Sequence, residues 1–206
     1  MVQNRWFLFK DCLDKKICND IKSLGKNNWK DGEIIVPSVL DDGNNKSLAF
    51  TINKEIRSSS VSWVSSQWLY DVVWPYLETA NKSAGWEYDI VSAEEMQVAR
   101  YSTNGFYSWH CDGTGDKLSA YNKPDNEFLH NRVRKLSMSI LLNDNYRGGD
   151  FQFLFSEKGK RKTETVELNK EGSIIVFPSY LEHRVTPITK GIRYSLVVWF
   201  LGPPFK

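Results

Sequence analysis

The chain contains three histidines, and the surroundings of two of them suit metal binding. His110 lies in Tyr107-Ser108-Trp109-His110-Cys111-Asp112. In an extended strand residues i and i+2 point to one face, so His110 and Asp112 can present an imidazole and a carboxylate side by side. His183 follows the apolar run Ser173-Ile174-Ile175-Val176-Phe177 and a turn through Pro178 and Glu182. At the start of the next strand it would point inward. Two imidazoles and one carboxylate on one face of an octahedron leave three positions open to exchangeable ligands. Taken singly, His110 also fits a strand-end histidine bonded to a carboxylate, and His183 an ordinary surface or core histidine. His130 lies in an irregular loop and reads as a bystander or a substrate contact.

Arg193 adds a different chemistry. It follows the Lys190-Gly191 turn, which is expected to return the chain on an adjacent strand, and precedes the apolar stretch Leu196-Val197-Val198-Trp199-Phe200. A strand Arg is often exposed, but these neighbours read as core. A buried guanidinium with no acidic neighbour in sequence needs an anionic partner, and its planar fork suits a carboxylate. Ser195 shares its strand face and can donate to the same group.

With these elements in order, residues 95–201 resemble the Fe(II)/2-oxoglutarate-dependent dioxygenases, and within them the prolyl 4-hydroxylase-like branch. The resemblance rests on His110-x-Asp112, His183, Arg193-x-Ser195, Tyr101 in Gln97-Val98-Ala99-Arg100-Tyr101, Tyr107, the Gly148-Gly149-Asp150 turn and Trp199. It implies that His110, Asp112 and His183 bind Fe(II). It further implies that Arg193, with Tyr101, Ser195 and Ser137, binds 2-oxoglutarate, with O2 as the second co-substrate and ascorbate as reductant. The implied activity is hydroxylation of a peptidyl prolyl residue with release of succinate and CO2. Tyr107, Arg134 and Trp199 would surround a proline-containing peptide or protein. Collagen-type prolyl enzymes usually carry Lys where this chain has Arg193, and Asp150 replaces the usual Glu of the turn. The same chemistry on a small metabolite, a free amino acid or a nucleobase stays open, as does a catalytically silent cupin-like binding module.

The elements that must position these residues can be read from periodicity. Asp14 can cap a helix running to about Gly25, and Ser65 or Ser66 opens a longer one that Gly85 stops. Pro75 predicts a kink or break inside the second. Strands are expected at 87–91, 95–101, 106–110, 134–142, 150–155, 163–168, 173–177, 183–186 and 192–200. The fold class is therefore mainly β with N-terminal helices (α+β): a double-stranded β-helix, a jelly-roll or cupin-like barrel, with helices packed on one sheet. A single oxygenase domain over 1–206 would divide into a helical support region (1–94), a catalytic barrel (95–201) and a mobile loop (113–131).

Composition agrees. The 206 residues carry 27 Lys plus Arg against 25 Asp plus Glu, a net charge of +2, which argues against a nucleic-acid or anionic-membrane partner. Aromatic residues make up 14% of the chain, enough to build a large core and exclude wholesale disorder. No apolar run reaches the length of a membrane span, and Met1 to Phe7 lacks the features of a signal peptide. Three cysteines do not suggest a disulfide scaffold, so a reducing, cytoplasmic setting is expected. Oligomeric state is not legible.

Overall fold

The computed structural model describes residues 4–39, 46–113 and 118–205. The first half carries β1 (Phe7–Phe9), α1 (Lys15–Leu24), β2 (Lys30–Asp31), β3 (Ile34–Val39), β4 (Lys46–Thr51), β5 (Arg57–Ser58), β6 (Ser60–Val64) and α2 (Gln67–Ser83). There follow β7 (Ser92–Ala93), β8 (Met96–Tyr101), β9 (Phe106–His110), β10 (Val133–Leu141), β11 (Arg147–Gly148) and β12 (Phe151–Glu157). The chain ends with β13 (Lys160–Thr165), β14 (Ile174–Pro178), β15 (His183–Val185), β16 (Ile188–Lys190) and β17 (Arg193–Gly202).

A large antiparallel sheet runs β1-β14-β10-β17-β8-β6-β2, with β7 beside β17. A smaller one runs β13-β12-β15-β9-β5. Period-two alternation decides what each face of the large sheet does. Leu136, Met138 and Ile140 on β10, with Leu196, Val198 and Phe200 on β17, pack against Ile21 of α1 and Leu69, Val73 and Leu77 of α2. Alternate residues face the smaller sheet, and that space holds Ala99, Tyr101, Phe151, Phe153, Ile175 and Phe177. The helices thus cover one face of the large sheet and the small sheet covers the other. This is the expected mainly β architecture with helices on one sheet, although the two facing sheets stay separate among the described residues, beside the two-stranded ribbons β3-β4 and β11-β16, and do not close into a barrel.

Both helices form where expected. The Asp14 carboxylate accepts from the Ile17 N–H at 2.8 Å and caps α1. Gly85, at φ +73, follows the end of α2 in the left-handed conformation that glycine accepts without strain. The break expected at Pro75 is absent. Pro75 and Asp71, whose carbonyl loses its helical donor, both lie on the exposed side of α2. Water can serve that carbonyl, while burial of Leu69, Val73, Leu77 and Ala80 holds the helix together.

Other expectations need correction. The strand at 87–91 is not formed, because Asn81 at the end of α2 clamps Tyr88: its amide donates to the Tyr88 carbonyl (2.8 Å) and its oxygen accepts from the Tyr88 N–H (3.0 Å). Pairing begins only at Ser92, beside Leu201. The N-terminal region is more than helical support, since β1, β2 and β6 join the large sheet and β5 joins the small one. The Lys190-Gly191 turn does not make a hairpin. β16 pairs with β11 in a two-stranded ribbon, whereas β17 pairs with β8 and β10, so the turn passes the chain from that ribbon to the large sheet.

The expected mobile loop falls partly outside the described residues, at 114–117. Its part from 118 onward is bonded locally: the Tyr121 N–H donates to the Arg132 carbonyl (2.9 Å) and the Asn131 N–H to that of Tyr121 (3.0 Å). No helix among the described residues is long and apolar enough to cross a membrane.

Candidate active site

β9 and β15 are neighbours in the small sheet, and their register sets His183 opposite His110. Each imidazole is turned by a short backbone contact: Nδ1 of His110 lies 2.8 Å from the Ser108 carbonyl, and Nδ1 of His183 lies 2.9 Å from that of Leu181. A carbonyl can only accept, so both Nδ1 atoms carry hydrogen and Nε2 is the nitrogen each ring can offer to a metal. Those Nε2 atoms face Asp112, at 3.8 Å from Oδ1 and 3.7 Å from Oδ2 respectively. One ligand atom from each of the three residues lies within 4.8 Å of the others.

Asp112 is itself held. Its N–H donates to the Ser179 carbonyl at 2.9 Å, and its Oδ2 accepts from the Ser137 hydroxyl at 2.7 Å. Ser137 also lies 2.9 Å from the Ser179 hydroxyl. Tyr107 stacks flat on His110 with ring centroids 3.5 Å apart, and Phe151 stacks on His183 at 5.4 Å. These contacts fix the ring planes and keep water from their backs.

Burial pushes His110 down to about 3, with the neighbouring His183 acting in the same direction, so its imidazole is neutral at ordinary pH. Burial alone would raise Asp112, but His183, His110, Arg134 and the Ser137 hydrogen bond outweigh it and hold the carboxyl below its usual range. A neutral imidazole at His110 and an ionised carboxylate at Asp112 are the protonation states that metal ligands require.

Arg193 enters from the large sheet and is 1% exposed. Its Nη1 donates to the Ser195 hydroxyl at 3.0 Å. Its Nε and Nη2 are buried and have no partner among the described residues. Tyr101 is its register partner on β8, with the guanidinium carbon 5.7 Å from the ring centre. Gly149, at φ +70, makes room: a Cβ there would sit 3.1 Å from Cδ of Arg193. Unpaired buried charge is costly, so the site is built for an anion.

A cavity of about 600 Å³ joins these groups. It is lined by His110, Asp112 and His183 on one side and by Tyr101, Arg193 and Ser195 on the other. Tyr107, Arg134 and Trp199, expected around the substrate, also line it. Arg134 is already engaged, with Nε and Nη2 donating to the two Glu94 oxygens at 2.7 and 2.6 Å and its guanidinium 4.1 Å from the Trp199 ring centre. Ser137, expected at the co-substrate, gives its hydroxyl to Asp112 instead, and Ser139 lines the cavity.

Two residues escaped the sequence reading. Glu94 pairs with Arg134 from 40 positions away. Arg57, 6% exposed, lies 4.6 Å over the Tyr107 ring and donates to Gln97 Oε1 (2.7 Å), the Glu33 carbonyl (3.1 Å) and the Ser59 hydroxyl (2.8 Å). No local pattern marks either residue. The β5–β9 register, which sets Arg57 opposite Tyr107, is what brings Arg57 in.

The donor set fits a first-row divalent ion, since two borderline imidazoles and a hard carboxylate suit Fe(II). The unpartnered N–H groups of Arg193 fit a carboxylate ligand in the same cavity.

Comparison with known proteins agrees with this geometry. Residues 96–201 match the model of the 2OG-Fe(II) oxygenase superfamily. A PKHD-type hydroxylase of Synechococcus sp. (strain CC9605) is 33% identical over 106 residues, covering 50% of this chain and 40% of the relative. A putative prolyl 4-hydroxylase of Acanthamoeba polyphaga mimivirus is 23% identical over 215 residues, covering 98% of this chain and 76% of its own. The chain thus spans about two fifths of the first relative and about three quarters of the second. The solved viral collagen prolyl hydroxylase of Paramecium bursaria Chlorella virus-1 superposes with a TM-score of 0.63 at 15% identity, covering 97% of both chains, and so shares the fold.

Proposed function

The chain belongs to the 2OG-Fe(II) oxygenase superfamily, and on that footing we propose that it hydroxylates a peptidyl prolyl residue, consuming 2-oxoglutarate and O2 at Fe(II), with ascorbate as reductant. In this reading the two facing sheets are the halves of a double-stranded β-helix. The observation that carries the proposal is the shared cavity. The two buried, unpartnered N–H groups of Arg193 open into the same space as His110, Asp112 and His183.

His110, Asp112 and His183 would hold the metal, with Ser137 fixing the carboxylate. Arg193 and Ser195 would bind the distal carboxylate of 2-oxoglutarate, with Tyr101 beside them. Bound together, Fe(II) and 2-oxoglutarate supply oxidative hydroxylation of a C–H bond with release of succinate and CO2. The chain's own part is to orient these groups and exclude water. The Tyr107, Phe151 and Phe177 rings pack around the two imidazoles. Tyr107 and Trp199 give aromatic walls suited to a pyrrolidine ring, and the names of the prolyl hydroxylases similar to this chain support that choice of substrate.

The test incubates the protein with Fe(II), 2-oxoglutarate and ascorbate, and in separate reactions with proline-rich peptides, small acids and nucleobases. Succinate formation with gain of one oxygen atom on a prolyl residue is the expected result. Oxygen gained only by a small acid or a nucleobase would overturn the peptide assignment. No succinate under any condition would leave a binding module.

A further inference from the structure

We propose that a second, smaller pocket beside the active site binds a small tetrahedral oxyanion of the phosphate class. The pocket has a volume of about 120 Å³ and is lined by Gly32, Arg57, Ser59, Ser60, Arg100 and Ser102, among others. It shares Arg57 and Asp31 with the main cavity, whereas Arg100, Ser60 and Ser102 belong to it alone.

Two arginines line it, and neither is paired with a carboxylate. Neither Arg57 nor Arg100 takes part in an ion pair among the described residues. The one acid lining the pocket, Asp31, is engaged by Lys54 at 3.2 Å. Nε of Arg100 is buried with no hydrogen-bond partner among the described residues, as are Nε and Nη2 of Arg193. A donor left in that state marks a place for an acceptor.

The hydroxyls are set to donate as well. Ser59 Oγ accepts from Arg57 Nε at 2.8 Å, and Ser60 Oγ accepts from Arg100 Nη2 at 3.3 Å. Each serine still has its own O–H proton to give. Donors therefore reach the pocket from Ser59 beside β5, Ser60 on β6, Arg100 on β8 and Ser102 just beyond it. This spread suits an anion with oxygens in several directions better than a planar carboxylate, which a single guanidinium fork satisfies. Gly32 leaves room for the Arg57–Ser59 hydrogen bond that sets the Ser59 hydroxyl, because a Cβ there would lie 2.6 Å from both Arg57 Nε and Ser59 Oγ.

The experiment is calorimetric titration of the full chain with inorganic phosphate against chloride at matched ionic strength. Arg193 offers a competing anion site, so the titration is repeated on Arg193→Leu. A saturable event that persists in Arg193→Leu is expected, weakened ten-fold or more by Arg100→Gln and by Gly32→Ala, with partial recovery in Arg100→Lys. Thermal melts establish that each variant is folded, and Gly32→Ala carries the test if Arg100→Gln is not. Absence of a saturable event would overturn the proposal. So would binding lost in Arg193→Leu but unchanged in Arg100→Gln and Gly32→Ala, which would place phosphate in the main cavity.

Discussion

His110 and His183 face each other across the β9–β15 ladder with ring centroids 4.2 Å apart. They come from strands more than seventy positions apart, and only the cross-strand register makes them neighbours. A slip of one residue would turn one imidazole to the opposite face and dismantle the cluster. The surrounding contacts resist such a slip, since Tyr107, Phe151 and Phe177 all pack on the two rings.

Asp112 depends on Ser137 for its aim. Ser137→Ala should lower affinity for Fe(II), or for Mn(II) as a stable stand-in, by roughly 10- to 100-fold, the usual loss when a ligand's supporting hydrogen bond is removed. Anaerobic metal titration measures this, and the circular dichroism spectrum should not change. Unaltered metal affinity would show that the Asp112 carboxylate is held without the hydroxyl.

Arg193→Leu should raise the apparent KM for 2-oxoglutarate by about ten-fold or more, because a charge-assisted hydrogen bond is worth about 1.5–3 kcal/mol. Metal affinity should stay near the wild-type value, since Arg193 stands on the other sheet from the two histidines. An unchanged KM would remove Arg193 from the co-substrate site.

Glu94 and Arg134 are both 11% exposed at the side chain. Glu94→Ala should destabilise the fold by about 3–5 kcal/mol, the usual cost of leaving one member of a buried pair uncompensated. Urea unfolding midpoints give the value. A loss well under 1 kcal/mol would mean that water reaches the Arg134 guanidinium.

Pro75→Ala tests the proline inside α2. An interior proline costs a helix about 3 kcal/mol, partly offset by the stiffness it gives the unfolded chain, so the variant should gain about 2 kcal/mol. A lower melting temperature would show that the ring contributes packing of its own.

Cys18 gives a pH-dependent expectation. Burial, with a smaller push from Glu171, raises its thiol from 9.0 to about 11. The folded state therefore favours the neutral thiol. The resulting stability is complete below pH 9 and is lost as pH rises through 11, amounting to about 3 kcal/mol. Compared with Cys18→Ala by urea unfolding, the wild type should lose its advantage between pH 8 and pH 11. A constant difference over that range would refute the shift.

Much of the site was legible because it is written in local spacing. His110-x-Asp112 reads as one strand face, and the apolar run from Leu196 marks Arg193 as buried. The helix after Asp14 follows from period and cap, and the one after Ser66 from period, since the Ser66 side chain makes no capping hydrogen bond. Of the kink or break expected at Pro75, the break does not occur, because a local rule about hydrogen bonds ignores which side of the helix meets solvent. The strand expected at 87–91 failed for a similar reason, since the Asn81 side chain competes for the backbone of Tyr88.

The sequence by itself determined the residue types of the candidate metal site, their order, the burial of Arg193 and the mainly β character of the chain, because each depends on side-chain chemistry or on periodicity within one element. Tertiary structure alone decided that Ser137 serves Asp112 while Ser139 faces the cavity, that Glu94 neutralises Arg134, and that Arg57 lies over Tyr107. It also decided that the turn after Lys190 changes sheets and does not close a hairpin. Those outcomes depend on register between strands distant in the chain and on the facing of two sheets. Both are settled by packing the whole core at once, and no short stretch of sequence carries that information.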